Sequence, residues 1–254
     1  MPRPVLIIGH PGHELLVHDW MTRTRPIVLI LTDGSGSAGA PRIDDSRRIV
    51  EAAGATPGPV FGAWPDSAAY AAILAGDPGL FVPVARAAAQ AITAEAASLV
   101  VCDAIEHFNP VHDLCGVVAA LACALAGPPR PALWEIPIEQ PLDYAALPEG
   151  WQVRRLAPAA VARRRSAAES VPALAGELAR RSRERPEAEA LEILAPVADG
   201  RPLLPPPDGE PFYETFGRRR LAEGVYRDLI TWRGHVAPLA RALAEAVLGP
   251  AAVG

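Results

Sequence analysis

Apolar and polar positions along the chain fall into two kinds of block. Short, almost unbroken apolar runs at residues 4–8, 26–32, 60–64, 98–102 and 132–137 predict strands buried on both faces, as a parallel sheet requires. Between them, stretches at 14–22, 44–53, 67–74, 80–97 and 114–126 predict helices, the second stopped by Gly54 as a C-terminal cap. Strand alternating with helix through residue 137 implies an α/β fold: a Rossmann-like, mostly parallel sheet with helices on both faces. The remainder is less regular, with a strand at 151–156, an Arg-studded helical stretch at 159–183, a Pro-, Gly- and Asp-rich loop at 197–211 and a last helix at 236–248. There is no internal repeat. The simplest organisation is one domain over 1–254, in which 1–137 form the core with the site loops. Residues 138–254 form an extension that serves either as a lid over the strand ends or as surface decoration.

The first apolar run stops at Gly9-His10-Pro11-Gly12-His13-Glu14. These residues fall at the C-terminal edge of a first parallel strand, where open α/β sheets place their sites. A turn folds over a point, so His10 and His13 can converge on one ion, and His112, after the fourth strand, is the candidate third ligand. Three neutral imidazoles plus one open position make a catalytic zinc arrangement; the bland alternative for each is a hydrogen-bonded structural histidine. Two other patterns are weaker. Gly34-x-Gly36-x-x-Gly39 follows the second strand, and Glu51 sits in the next helix and not at the end of a following strand, so a flexible loop explains it better than a dinucleotide site. His13 and His18 are five residues apart and lie on different faces of a helix, which leaves His18 as a packing or surface residue.

Composition narrows the partners. With 254 residues, half of them hydrophobic, a large core is available; the net charge of −5 argues against nucleic acid or an anionic membrane as the default partner. All 24 basic residues are arginine, a compositional bias and not a mechanism. Cys102, Cys115 and Cys123 show no CxxC spacing and sit in apolar surroundings, which suits buried thiols in a reducing compartment, so the expected location is cytoplasmic. No signal segment is recognisable, and the apolar stretch 114–126 is too short to span a bilayer of about 30 Å.

Taken together, the opening strand with His10-Pro11-Gly12-His13-Glu14, the loop Leu31-Thr32-Asp33-Gly34, the helix carrying Arg47, Arg48 and Glu51, and Asn109-Pro110-Val111-His112 resemble the PIG-L/LmbE family of zinc-dependent N-deacetylases. The resemblance covers the first half of the chain. It implies zinc held by His10, His13 and His112 with a water on the fourth site. The family's first motif reads His-Pro-Asp-Asp-Glu, so position 13 is His in place of a ligating Asp, and Gly12 stands where the family places its general-base Asp. Asn109 and Val111 stand in place of a His and an Asp of the later motif. A neutral ligand leaves more positive charge on the metal, and a His₃ site can bring bound water to a pKa of about 7, so metal-bound hydroxide could attack without a strong base.

Otherwise a carboxylate from another loop substitutes. Glu106 and Asp33 are the first candidates because their loops flank a metal at His10; Asp103, Asp113 and Glu14 follow, the bland readings being helix-end or loop caps. His107 occupies the place from which some relatives present a Tyr to the substrate carbonyl. Arg47 and Asn109 are candidates for holding the substrate, against a helix-face salt bridge from Arg47 to Glu51. The expectation is a zinc-dependent amide hydrolase that removes an N-acyl, above all N-acetyl, group from an amino-sugar-like small molecule or glycoconjugate. The alternatives are a catalytically silent metal- or glycan-binding accessory module, or the same metal acting on another scissile bond. A homo-oligomer is compatible with the sequence.

Overall fold

The computed structural model describes residues 2–36, 39–171, 183 and 186–250. Its pivot is β1 (Val5–Ile8), all four residues of which are buried and whose alternate side chains enter two different apolar clusters. Val5 and Ile7 pack with Leu29, Leu31, Val100 and Cys102, whereas Leu6 and Ile8 pack with Val28, Ile30 and Val101. A strand with core on both faces must lie inside a sheet that is covered on both sides.

Accordingly β1 pairs in parallel with β2 (Ile27–Thr32) and β4 (Leu99–Asp103), Ile8 lying opposite Ile30 and Ile7 opposite Cys102. With β3 (Thr56–Trp64), β5 (Ala132–Ile136), β6 (Gln152–Arg155) and β7 (Leu191–Pro196) they form a seven-stranded sheet of order β3-β2-β1-β4-β5-β7-β6. β1 to β5 run parallel; β7 is antiparallel to β5, and β6 antiparallel to β7. Helices α1 (His18–Thr24), α2 (Ile43–Ala52) and α6 (Pro158–Glu169) cover the Leu6 face. Helices α3 (Asp66–Ala75), α4 (Val82–Ala94), α5 (Pro110–Leu125) and α8 (Ala237–Leu248) cover the Val5 face, joined there by Tyr213 of α7 (Phe212–Ala222). The fold is thus the mostly parallel, Rossmann-like α/β architecture that the alternation implies.

Several local expectations are corrected. β3 begins at Thr56 and not at residue 60, because Pro57 and Pro59 are tolerated on an outermost strand that pairs on one side only. The stretch 14–22 divides into a tight turn of helix, His13–Val17, and α1. α5 starts at Pro110 and not at 114: the Asn109 side chain accepts the Val111 N–H at 2.8 Å and Pro110 fits the first turn, so His112 and Asp113 are helical and not in a loop. β7 and α7 lie where no element was expected, and most of the predicted helix beyond Val171 lies outside the described residues. The three cysteines are buried and form no disulfide, and no described helix is long and apolar enough to cross a membrane.

β7 reaches back to the start of the chain. The buried carboxylate of Glu192 accepts the N–H groups of Asp19 and Trp20 at 2.6 and 2.9 Å, capping the first turn of α1 from a distant strand. Burial pushes this carboxyl up to about 7, against the pull of the Asp19 and Trp20 amides and with the charge of Asp19 adding to the rise. A carboxyl that binds its proton more tightly when folded than when unfolded costs stability as pH rises from the unfolded value near 4.5 through about 7, and nothing further above that. Urea unfolding of Glu192→Gln beside the wild type at pH 5 and pH 8 should therefore show the wild type alone losing about 2–3 kcal/mol over that interval. Parallel losses in the two proteins would mean that Glu192 does not titrate there.

Candidate metal centre

The sheet delivers the imidazoles from two adjacent strand ends. After β1, the Gly9 N–H donates to Asp103 Oδ2 at 2.7 Å, an approach so close that a Cβ on residue 9 would stand 3.0 Å from that oxygen. Gly12 then takes a φ of +109°, which side-chain-bearing residues rarely adopt, and turns the chain so that His13 comes back beside His10. Glu14 pins this turn: its fully buried carboxylate accepts the Gly12 N–H at 2.7 Å and the Ser46 hydroxyl at 2.5 Å. Burial raises its pKa, and the Ser46 and backbone donors oppose the rise. From the other side, the first turn of α5 brings in His112. The ring centroids stand 5.5 Å (His10–His13), 5.1 Å (His10–His112) and 4.6 Å (His13–His112) apart.

Two of these rings are oriented by acceptors on their Nδ1 side. His10 Nδ1 lies 2.9 Å from both Thr32 Oγ1 and Asp66 Oδ1. Burial of Asp66 raises its pKa, but the His10 ring, the Gly36 N–H and the Thr32 hydroxyl outweigh that and hold it at about 2. The Thr32 hydroxyl donates to the Gly9 carbonyl at 3.1 Å and so accepts from His10 Nδ1, which puts the lone pair on Nε2, and that atom is buried with no hydrogen-bond partner among the described residues. His13 Nδ1 likewise lies 2.9 Å from Asp103 Oδ2. A carboxylate behind the distal nitrogen of a histidine is the support that metal-ligating imidazoles use to fix their tautomer.

The spacing matches as well. Nitrogens about 2.0–2.1 Å from a tetrahedral ion put imidazole centroids about 5 Å apart, within the observed range. One ligand atom each from His13, Asp103 and His112 also fall within 4.8 Å of one another, a second way to hold a cation. That group does not include His10; a trio with His10 would occupy its buried Nε2, and the group with Asp103 would occupy Asp103 Oδ1, which is likewise buried with no hydrogen-bond partner among the described residues.

The three imidazoles line a cavity of about 1030 Å³, together with Asp66, Asn109, Tyr70 and Tyr213. Asn109, whose Oδ1 caps α5, also donates to the Tyr70 hydroxyl at 3.3 Å. Tyr213 is buried, and its hydroxyl has no hydrogen-bond partner among the described residues. Four other candidates do not line this cavity. Glu106 accepts the N–H groups of Ile138, Glu139 and Gln140 at 2.9, 2.8 and 3.1 Å, so its oxygens are spent on the loop after β5; burial raises its pKa against those three donors. Asp33 accepts the Ser35 N–H within its own turn. His107 faces Asp113, with Nδ1 3.2 Å from Oδ2, and its carbonyl accepts the Phe212 N–H at 2.9 Å. Arg47 is exposed, its guanidinium 4.7 Å over the Phe61 ring, and makes no ion pair with Glu51. Among the lining residues the carboxylates are Asp66, Glu139 and Asp228.

Asp66 and Tyr213 are cavity-lining positions that the sequence left unassigned. Asp66 carried a usable signal, an acidic residue at the end of a strand. Tyr213 carried none, because α7 lacks a clear apolar period.

No family model and no curated protein matches the chain. Among solved structures, one described as a deacetylase triple mutant involved in the teicoplanin biosynthetic pathway is similar at a TM-score of 0.49 and 16% identity, over 78% of this chain and 99% of that one.

The carboxylate supports make a quantitative prediction. Asp66→Asn and Asp103→Asn should each weaken zinc binding 10- to 100-fold in a chelator competition while the far-UV spectrum is retained. Affinities within twofold of the wild type would show that these carboxylates do not support a metal at the imidazoles.

Proposed function

We propose that the chain is a metal-dependent hydrolase that removes an N-acyl group, in the first instance N-acetyl, from a small molecule bearing an amine such as an amino sugar. The observation that carries this reading is the convergence of His10, His13 and His112 in the cavity, with His10 turned by Asp66 and Thr32 so that a buried Nε2 lone pair has no partner among the described residues. The likeness of the His10–Glu14 and Asn109–His112 segments to PIG-L/LmbE motifs supports the same reading. A divalent ion such as zinc held by these rings would supply Lewis acidity for water activation and carbonyl polarisation.

The chain's own residues do the rest. Asp66, ionised down to about 2, is suited to orienting His10 and poorly suited to accepting a proton near neutrality. Gly12 offers no side chain, so the proton acceptor in this proposal is Glu139 or Asp228, the other two carboxylates of the cavity wall. Asn109 and Tyr70 form a hydrogen-bonded pair on the cavity wall that can fix a polar group of the substrate. His107 takes a different part from carbonyl polarisation: it ties Asp113, in the first turn of α5, to the start of α7.

The bare position at Gly12 favours a second reading, a silent relative that retains the metal without turnover. Metal analysis and an N-acyl hydrolysis panel decide between them. The hydrolase reading expects about one zinc per chain and N-acetyl hydrolysis, both lost in His112→Ala. Zinc without turnover on the whole panel supports the silent relative, and no metal in the wild type removes both.

A further inference from the structure

The cavity is far larger than an acyl amine on a single sugar requires. At about 1030 Å³ it reaches the upper end of the range for sites that enclose drug-sized ligands. Part of its wall is aromatic and comes from α7, the stretch that follows it, and the loop before α5. Phe108 and Phe212 stack with centroids 4.2 Å apart and planes within 3°; Phe216 continues the row 5.8 Å from Phe212, and Tyr226 closes it 6.3 Å from Phe216. All four line the cavity that contains the imidazoles.

Two of these rings are strongly exposed, Phe212 at 46% and Tyr226 at 44% of their surface. Contiguous exposed aromatic surface on a folded chain marks a binding face more often than a random feature. The row is held in place by its frame. The Phe212 N–H is bonded to the His107 carbonyl, Glu214 accepts the Trp232 N–H at 2.8 Å, and the Arg219 guanidinium lies 5.0 Å from the Phe216 ring centre. The Asp66 and Asn109 side chains belong to the imidazole end, through His10 and through the cap of α5.

We infer that the substrate is an N-acylated molecule whose other end is a bulky apolar group, lying on Phe108, Phe212, Phe216 and Tyr226 while the acyl amine meets the imidazoles. This rests on the hydrolase reading for the acyl end and on the aromatic row for the other. An aromatic ring system fits the row best, because flat rings gain most from parallel and edge-on ring partners. A lipid-like chain shares the apolar chemistry and is distinguished by the test.

Equilibrium binding of methyl, 4-methylumbelliferyl and n-octyl N-acetyl-β-glucosaminide, measured calorimetrically on the full chain with and without zinc, reads this directly. The methylumbelliferyl compound should bind at least tenfold more tightly than the methyl compound, with or without the metal. The double variant Phe212→Ala/Phe216→Ala should lose about tenfold for the aryl compound and change the methyl compound less than twofold. Phe216→Leu, which keeps an apolar surface, guards against a folding defect and should lose only two- to threefold. Octyl binding equal to or better than aryl binding supports a lipid-like substrate within the same inference; weaker octyl binding supports an aromatic one. Equal affinities for methyl and aryl compounds, an aryl preference that survives the double variant, or no binding of any of the three overturns it. Aryl preference with no acetate released from any of the three compounds defeats the hydrolase reading and leaves the aromatic binding end standing, whereas acetate release without aryl preference does the reverse.

Discussion

The structure depends on two carboxylates that stand behind two histidines. Asp66, just beyond the end of β3, and Asp103, the last residue of β4, each approach an imidazole on the loop after β1, at Nδ1. An isolated buried carboxylate is expensive, and Asp103 is fully buried, so its cost is met by charge-assisted hydrogen bonds from the Gly9 amide and the His13 ring. The consequence is directional. Protons are drawn to the Nδ1 atoms and the Nε2 lone pairs are turned away from the carboxylates.

That arrangement needs four strand ends in neighbouring positions, and the order β3-β2-β1-β4 provides them. β1 lies between β2 and β4, so Thr32 reaches His10 from one side and Asp103 reaches His13 from the other. The strands can occupy the interior because their side chains are apolar on both faces, with Val5 and Ile7 in one cluster and Leu6 and Ile8 in the other. Close backbone approach completes the geometry: Gly9 leaves room for Asp103, and the left-handed Gly12 brings His13 round. The same glycine that makes the turn removes the side chain where the resembled family carries its base.

Four of the five parallel strands were legible as nearly continuous apolar runs, and of β3 only the part from residue 60 was; the approach of His10, His13 and His112 was legible too, since strand ends in such a sheet converge on one edge. The antiparallel β7 was not. Leu191–Pro196 alternates too little to be told from a loop, and its place in the sheet goes with antiparallel pairing to β5 and β6 and with Glu192 capping α1, a contact 173 residues apart in the chain. The choice among carboxylates was also illegible: Glu106 and Asp66 are both acidic residues near strand ends. Only the fold shows that one is consumed by three backbone amides while the other meets His10. α7, with Phe212, Tyr213 and Phe216, has an apolar pattern too weak to announce a helix, although these residues line the cavity.

Anomalous diffraction from zinc-loaded crystals tests the central claim most directly. The account predicts a single peak about 2.0–2.1 Å from Nε2 of His10, Nε2 of His13 and one ring nitrogen of His112, with Asp66 and Asp103 still beside Nδ1 on the far sides of their rings. A peak bound to Asp103 and out of reach of His10, or no peak among the three rings, would contradict it.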